Sequence, residues 1–551
     1  MNTRHFVHWP RRLPRSLPRP EVPLFELVES SARRFPDRTA MVFYGTRISH
    51  AAFLDAVERV AGGLRTLGVG KGDRVALYLQ NTPHFAIGFM GILRANAVVV
   101  PLNPMLTGEE AGALLEDSGA RVLITTADLA PKAFEAAGRS GVERLVVGRY
   151  ADYLPSDPEL DVPEGMAEPG TIPDGALEWR TLLESGAEAP PVEVTPDDLA
   201  VLPFTAGSTG VPKGCRHTHR TVMTNVWGSV HWATVTPASV VLAALPFFHV
   251  TGLVHCFLAP VAAGGASVLM TRWNRKTALD AIERYGVTSW PNITTMVIDL
   301  LASPDIDDRD LGSLVFVGGG GAPLPAAVGE RLREKTGLVY AEGYGLTETI
   351  SQTHWNPPDE PRLGSIGIPV FDVDARIVDV STLEELPVGE PGEIVVHGPQ
   401  VFKGYWNRPE ETEEAFFELD GKRFFRTGDI GRMDEDGFFT IVDRRKRMIN
   451  AAGFKVWPAE VEGILYRHPA ILEVCVVGVP DPVRVENVKA YVVVHPGHEQ
   501  VTEAEIIEWA RGRMAAYKYP RIVQFIDALP KSGAGKILWR ELQEKERGNA
   551  S

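Results

Sequence analysis

The segment 204–214, "FTAGSTGVPKG", concentrates glycines and hydroxyl side chains around a single lysine, Lys213. Glycines allow backbone N–H groups to face an anion, hydroxyls donate further hydrogen bonds, and the lysine adds a positive charge. A P-loop would need glycine in place of Pro212 and serine or threonine in place of Gly214, so that motif is absent. The segment still predicts a loop that binds a polyphosphate, with an ordinary glycine-rich turn as the alternative.

Two further glycine-rich segments end β-rich runs, "SLVFVGGGGAPLP" and "LVYAEGYGLTET". Neither has the spacing G-x-G-x-x-G at the start of a helix, so a dinucleotide site is not indicated. Parallel α/β sheets bind ligands beyond the carboxyl ends of their strands, where such glycines would lie. Both segments are therefore candidate parts of a ligand site.

Helical and strand patterns alternate along the chain in the manner of an α/β protein. "AAFLDAVERVAGGLRTLGV" has apolar residues at helical spacing, whereas "DRVALYL" and "AVVVPLNP" have the character of short strands. After the basic cluster "RRKRM" the chain has its own helices and strands, including "PAEVEGILYRH" and "KAYVVVH". We predict a large N-terminal domain of layered α/β subdomains over residues 1–442 and a small α+β C-terminal domain over residues 443–551.

The bulk composition is that of a globular protein, with 551 residues of which 44% are hydrophobic and 23% charged. A formal net charge of −15 argues against a general nucleic-acid binder or a binder of anionic membranes. The cysteines Cys215, Cys256 and Cys475 are too far apart for a disulfide framework, and no apolar run is long enough to span a bilayer. These features predict a cytoplasmic protein without a transmembrane segment.

Five motifs occur in a fixed order along the chain: "FTAGSTGVPKG", "GYGLTET", "FRTGD", "DRRKRMINAAGFKVWPAEVE" and "PKSGAGK". In order and spacing they resemble the adenylate-forming superfamily, which includes acyl-CoA synthetases, luciferases and the adenylation domains of peptide synthetases. The chain is most similar to medium- and long-chain fatty acyl-CoA or aryl-CoA synthetases. The resemblance implies that a carboxylate attacks the α-phosphate of ATP in the presence of Mg²⁺, and that CoA then displaces AMP.

The resemblance also implies a nucleotide-binding role for the glycine-rich segments. Thr347 would donate to the α-phosphate, Glu348 would coordinate Mg²⁺, and Tyr344 would stack on adenine. Asp429 would accept hydrogen bonds from the ribose hydroxyls, which Arg444 would also approach. The remaining candidate ATP-binding residues are Thr205, Ala206, Gly207, Ser208, Thr209, Gly210, Lys213, Gly319, Gly320, Gly321, Ala322, Pro323, Gly343 and Gly345.

Lys536, in "PKSGAGK", matches the family's catalytic lysine for adenylation. Its ammonium group would neutralise the charge that develops between the carboxylate and the α-phosphate. The family rotates its C-terminal domain between the two half-reactions, so the small domain is expected to be mobile. Lys446 matches the hinge, and after rotation Gly453 and Phe454 would border the tunnel for CoA.

The acid-binding pocket is expected to be apolar. Amino-acid-activating relatives place an aspartate in the segment that corresponds to "LPFFHVTGL", which has no acid here, and an unpaired buried ammonium would be costly. His249 matches the residue that caps the acyl pocket and is counted among the catalytic candidates. The rest of the matching wall predicts a fatty or bulky ring-bearing acid: Val250, Thr251, Trp290, Pro291 and Gly318.

Three interpretations remain open. The first is an ATP- and Mg²⁺-dependent acid–thiol ligase that uses CoA. The second transfers the acyl or aryl group to a carrier protein or an amine and shares every residue of the first half-reaction. The third, a non-catalytic nucleotide-binding protein, is disfavoured by the joint presence of the candidate catalytic and ribose-binding residues. The sequence leaves the identity of the acid open, and a homodimer is as compatible with it as a monomer.

Overall fold

The computed structural model describes residues 3–168, 170–205, 212–321, 323–444, 447–451, 454–481, 485–531 and 537–548. The chain divides into two compact units. Unit 1 consists of Met1–Ala375, Val396–Phe425 and Asp436–Phe438, and unit 2 of Arg376–Val395, Arg426–Glu435 and Phe439–Ser551. The domain boundary predicted between residues 442 and 443 stays a prediction.

The helices of unit 1 alternate with strands, as the sequence predicts. In chain order the α-helices are α1 (Glu26–Arg34), α2 (His50–Thr66), α3 (Pro83–Arg94), α4 (Gly108–Ser118), α5 (Ala130–Gly138), α6 (Trp179–Leu183), α7 (His219–Trp232), α8 (Ala259–Ala263), α9 (Arg275–Tyr285), α10 (Thr294–Leu301), α11 (Ala326–Thr336) and α12 (Pro409–Glu414). Short 3₁₀ turns cover Arg4–Val7, Tyr150–Asp152, Ile306–Asp308 and Thr347–Thr349, and a π-helix covers Gly252–Leu258.

Two large sheets, both mainly parallel, form the centre of unit 1. Their strands are β1 (Thr39–Phe43), β2 (Thr46–Ser49), β3 (Arg74–Tyr78), β4 (Val98–Leu102), β5 (Ala120–Thr126), β6 (Arg144–Gly148), β7 (Leu177–Glu178), β8 (Leu199–Val201), β9 (His217–Thr218), β10 (Val240–Ala243), β11 (Ala266–Leu269), β12 (Ser289–Ile293), β13 (Phe316–Gly320), β14 (Ala341–Leu346), β15 (Ser351–Trp355) and β16 (Ile368–Pro369). The strand order is β16-β15-β14-β13-β12-β10-β11-β1-β2 in one sheet and β7-β6-β5-β3-β4-β8-β9 in the other.

Helix α2 illustrates how the sequence pattern produces this core. Ser49 caps its first turn, because the Ser49 side chain accepts a hydrogen bond from the Ala52 N–H. Phe53, Val57 and Val60 recur at helical spacing and are all buried in the main hydrophobic cluster. The helix predicted for this segment is therefore confirmed, and its apolar stripe packs against the neighbouring α3.

A third sheet follows in the chain. It contains β17 (Asp374–Val378), β18 (Gly392–His397), β19 (Phe416–Leu419), β20 (Lys422–Met433) and β21 (Phe439–Arg444). Its order is β17-β18-β20-β19, and β21 pairs with β20.

The C-terminal part of unit 2 has its own sheet and core, as predicted. It contains β22 (Ile449–Ala451), β23 (Phe454–Val456), β24 (Ile471–Asp481), β25 (Val485–Val494), β26 (Ile522–Phe525), α13 (Pro458–Leu465), α14 (Glu503–Arg511) and α15 (Trp539–Gly548). Val474 and Val476 of β24 join one hydrophobic cluster, while Cys475 and Val477 join another. The sheet is thus covered on both faces, which explains why β24 is almost continuously apolar.

The predicted α/β fold class is confirmed. Strands β12, β13 and β14 are adjacent and parallel, with Pro291 paired to Gly318 and Gly318 to Ala341. Their carboxyl ends therefore meet at one edge of the nine-stranded sheet, where the sequence places two glycine-rich segments. Within the described residues, every helix is too short or too polar to cross a bilayer.

Candidate active site

The two ends of the predicted phosphate loop are hydrogen-bonded to each other. Phe204 and Gly214 form an antiparallel bridge, and the Thr205 N–H donates to the Lys213 carbonyl at 3.0 Å. In return, the Lys213 N–H donates to Thr205 Oγ1 at 3.1 Å. These bonds place Thr205 and Lys213 side by side at the base of a hairpin. Five other predicted phosphate-binding residues lie outside the described residues: Ala206, Gly207, Ser208, Thr209 and Gly210.

The outgoing strand of this hairpin pairs with a distant segment, residues 402–406. The Arg216 N–H donates to the Gly404 carbonyl at 3.0 Å, and the Trp406 N–H donates to the Gly214 carbonyl at 2.8 Å. This pairing places Tyr405 beside the predicted loop, with Lys213 Nζ 4.8 Å from the centre of the Tyr405 ring. A cation at this distance from an aromatic face is attracted by the ring, so Tyr405 helps to position the lysine.

Tyr405 also contacts Glu348, the predicted magnesium ligand. The Tyr405 hydroxyl donates to Glu348 Oε1 at 2.8 Å, and the Phe402 N–H donates to the Glu348 carbonyl at 2.8 Å. Burial, and then the neighbouring Glu348 carboxylate, raise the pKa of Tyr405, so the hydroxyl keeps its proton and remains a donor. The segment 402–406 thus joins two motifs that are about 140 residues apart in the sequence.

A buried histidine holds the turn that carries Thr347 and Glu348. His217 Nε2 lies 2.7 Å from the Thr347 carbonyl oxygen, and because a carbonyl only accepts, Nε2 must carry the hydrogen. Burial lowers the pKa of His217 to about 4, so the imidazole is neutral at physiological pH. His217 belongs to β9, which continues directly from the predicted phosphate loop.

Glycine is structurally required at two of the predicted positions. A Cβ at Gly345 would lie 1.7 Å from the Ser351 carbonyl oxygen, and one at Gly319 would lie 1.8 Å from that of Asn292. No side chain fits at such distances, so these glycines permit the close approach of neighbouring backbones. The other predicted residues of these motifs lie on β13, on β14 or in the loop after β13: Gly320, Gly321, Pro323 and Gly343. The Tyr344 and His354 ring centres are 5.7 Å apart. Ala322 is outside the described residues.

The predicted acyl-pocket residues lie on β12, β13 and the start of the π-helix region. His249 is exposed and its Nδ1 accepts a hydrogen bond from the Thr251 N–H at 3.3 Å, whereas Val250 is buried. Trp290 is fully buried and stacks on Trp273, with ring centres 5.8 Å apart and planes 4° from parallel. Pro291 follows it in β12, paired with Gly318 of β13.

The predicted ribose-binding residues belong to unit 2. Asp429 of β20 and Arg444 of β21 are directly paired across the two strands. Asp429 is buried, and its N–H donates to Thr427 Oγ1 at 3.1 Å. Lys446, Gly453 and Lys536 lie outside the described residues, and Phe454 is described only as the first residue of β23.

An antiparallel β-bridge joins Lys531 and Ile537, the two residues that flank the segment containing Lys536. The Leu538 N–H donates to the Pro530 carbonyl at 2.8 Å, one residue further along each strand. Residues 530–531 and 537–538, on either side of the segment, are therefore hydrogen-bonded to each other.

Among the described residues, no group of three or more His, Cys, Asp or Glu side chains could hold a metal ion. Mg²⁺ does not need such a group, because it commonly takes one or two carboxylates and completes its shell with phosphate oxygens and water. The half-buried Glu348 carboxylate, which contacts the same tyrosine, Tyr405, as Lys213 does, fits that pattern.

Sequence reasoning missed Tyr405, Phe402 and His217. The signal in the sequence is weak: an aromatic run around Gly404 and a histidine shortly after Lys213. Their roles depend on pairing between residues 214–216 and 402–406, which a single sequence does not reveal.

Two family models match the chain, the AMP-binding enzyme over residues 28–406 and the AMP-binding enzyme C-terminal domain over residues 460–536. A long-chain-fatty-acid–CoA ligase of Bacillus subtilis (strain 168) is 38% identical over 559 residues, covering 98% of each chain. A feruloyl-CoA synthase of Amycolatopsis sp is 36% identical over 520 residues, covering 93% of this chain and 97% of the relative.

Solved structures agree with these relatives. ATP-bound MatB from Rhodopseudomonas palustris matches with a TM-score of 0.80 at 30% identity, covering 95% of this chain and 100% of that chain. A fatty acyl CoA synthetase of Mycobacterium tuberculosis gives a TM-score of 0.74 at 30% identity, with 96% and 99% covered. The chain therefore belongs to the AMP-binding enzyme family, the adenylate-forming superfamily predicted from the motifs.

Within that family it is an AMP-forming acid–CoA ligase. It uses ATP to convert a hydrophobic carboxylic acid into an acyl-adenylate, with release of pyrophosphate, and then forms the CoA thioester. The predicted enzyme class and reaction are confirmed.

Proposed function

We propose that the preferred acid is a long-chain fatty acid. The observation that carries this proposal is the 38% identity to a long-chain-fatty-acid–CoA ligase over 98% of both chains. The apolar residues Val250, Trp290 and Pro291 support it, because an acyl chain gains about 0.8 kcal/mol for each methylene that it buries. A ring-bearing acid is the second candidate, favoured by the stacked pair of Trp273 and Trp290 and by the feruloyl-CoA synthase relative.

A panel of acids tests the two candidates. With ATP, Mg²⁺ and CoA, kcat/KM for AMP release is expected to rise from hexanoate to palmitate by up to about fourfold per added methylene, until the pocket is filled. Ferulate and benzoate serve as ring-bearing controls. A higher kcat/KM with ferulate than with palmitate would make the ring-bearing acid the substrate class, and no acid-dependent AMP release at all would refute both.

The first half-reaction uses cations and donors to bring two anions together. The acid's carboxylate oxygen bonds to the α-phosphorus as the bond to the departing pyrophosphate breaks. Lys213 and Thr205 would bind the β- and γ-phosphates, Thr347 the α-phosphate, and Glu348 would hold Mg²⁺, which neutralises phosphate charge when bound. In unit 2, the paired Asp429 and Arg444 would bind the ribose, and Lys536 would neutralise the reacting oxygens.

In the second half-reaction, the CoA thiol gives its proton to solvent, its sulfur bonds to the acyl carbon, and the bond from that carbon to the AMP phosphate oxygen breaks, so that AMP leaves. Adenylation and thioester formation need different groups at one site, so the proposal includes rotation of the small domain at Lys446. A hinge residue must tolerate a large change in φ and ψ.

Replacing Lys446 with proline tests the hinge. Because proline locks φ, the variant is expected to keep acid-dependent pyrophosphate exchange while thioester formation falls by about 10²-fold. Lys446→Ala is the matched variant: it also removes the side chain but leaves φ free, so its thioester rate should fall far less. If Lys446→Pro formed thioester as fast as Lys446→Ala, the hinge would lie elsewhere.

Two finer expectations, the cellular location and the oligomeric state, remain proposals. The described cysteines Cys215, Cys256 and Cys475 are buried and unbridged, which suits the reducing cytoplasm proposed for the enzyme. A homodimer stays a prediction that sedimentation velocity of the purified chain would test.

A further inference from the structure

A π-helix lies next to the proposed acid pocket. It covers Gly252–Leu258, directly after Val250 and Thr251, and α8 continues from it. π-helical turns are rare and occur frequently at functional sites. This π-helix contains a buried polar residue, His255, which no step of the proposed mechanism uses.

His255 bridges two elements through buried serines. Its Nδ1 lies 2.8 Å from Ser229 Oγ of α7, and its Nε2 lies 3.1 Å from Ser351 Oγ of β15. Within the described part of the chain, neither serine hydroxyl has a second hydrogen-bond partner. Burial lowers the pKa of His255 to about 4, against a smaller opposite effect of Gln352, so the ring is neutral and one nitrogen donates while the other accepts.

The backbone is strained at Ser351 and at the residue before it. Ile350 has φ = 47° and Ser351 has φ = 108°, in the left-handed region that non-glycine residues avoid. These two residues immediately follow the turn Thr347–Thr349, whose Thr349 Oγ1 donates to the Ser351 carbonyl at 2.7 Å. Strain of this kind persists only where the surroundings enforce the conformation, and the bond to His255 is one such restraint.

A second contact runs from His255 to the same motif. The His255 ring lies 4.9 Å from the Trp355 ring, edge to face. Trp355 is paired with Gly343, the first residue of "GYGLTET". The His255 side chain therefore contacts Trp355, which is the strand partner of Gly343, and Ser351, which is one of the two strained residues after the turn of Glu348.

We propose that His255 is a positioning residue that couples the π-helix next to the proposed acid pocket to the strained residues Ile350 and Ser351, which follow the turn of Thr347 and Glu348. Occupation of the acid site would then set the alignment of Thr347 and Glu348 for adenylation. The inference rests on the proposed acid pocket and on the proposed roles of Thr347 and Glu348.

The test compares His255→Phe, Ser351→Ala and the double variant, with kcat for acid-dependent pyrophosphate exchange and the Kd for ATP without acid. We expect kcat to fall about 10-fold in His255→Phe and about 5-fold in Ser351→Ala, with the Kd for ATP within about twofold of the parent. Because both changes remove the same hydrogen bond between His255 and Ser351, the double variant should be no slower than His255→Phe. His231→Phe is the matched control: His231 lies on α7, and its Nδ1 contacts the Trp227 carbonyl of the same helix.

Multiplicative effects in the double variant, or an unchanged kcat in Ser351→Ala, would overturn the proposal. So would a loss of ATP affinity equal to the loss of kcat, because that would indicate general damage to the site. If His255→Phe failed to fold, Ser351→Ala and His255→Gln, which restores a hydrogen-bonding side chain and should recover part of kcat, would decide the question. An active parent with unaffected variants would refute only this inference, whereas an inactive parent would refute the proposed function.

Discussion

Replacement of Lys536 by alanine is expected to lower acid-dependent exchange of pyrophosphate into ATP by about 10²–10³-fold. The reason is electrostatic: without the ammonium group, the carboxylate must approach an anionic phosphate against uncompensated repulsion. Thioester formation from a supplied acyl-adenylate should remain close to the parent rate, because that step no longer joins two anions. The two rates are measured separately on the same preparation.

Lys531→Ala is the control for this variant. Lys531 belongs to the same segment, but its side chain forms an ion pair with Glu473, and its backbone bridge to Ile537 would survive the change. It should therefore retain both half-reactions. Equal losses in both half-reactions of Lys536→Ala would contradict a role confined to adenylation.

Replacement of Glu348 by glutamine is expected to lower adenylation by about 10²-fold and to weaken its response to Mg²⁺. The neutral amide keeps the shape of the side chain and still accepts the hydrogen bond from Tyr405, so lost charge is the main change. The measurement is the rate of pyrophosphate exchange over a range of Mg²⁺ concentrations.

Two variants make the interpretation of Glu348 specific. Tyr405→Phe keeps the carboxylate and removes one hydrogen bond to it, so a loss of only about fivefold is expected. Glu135→Gln, exposed on α5, removes an equal charge from a helix that packs on α4, β5 and β6, and it should leave the rate unchanged. A Glu348→Gln enzyme with the parent's rate and Mg²⁺ response would exclude Glu348 as the metal ligand.

Local pattern explains the parts of the fold that the sequence predicted well. Helix α2 and strands β3 and β4 were each legible from apolar periodicity within one short segment, and all three are confirmed. The motifs were equally local, and their order along the chain was enough to predict the superfamily. The acid itself was not legible, because a pocket wall is assembled from β12, β13 and the π-helix region.

Short motifs establish which residue types are available for phosphate, metal and acid, since they impose glycine, hydroxyl and charged groups at set spacings. The groups that support these residues become visible only in the folded chain. Tyr405 contacts Lys213 and Glu348 because residues 402–406 pair with residues 214–216, and His255 reaches Ser351 because α7, the π-helix and β15 pack together. Such contacts arise from the packing of segments more than 50 residues apart, and that information is not contained in any local pattern of one chain.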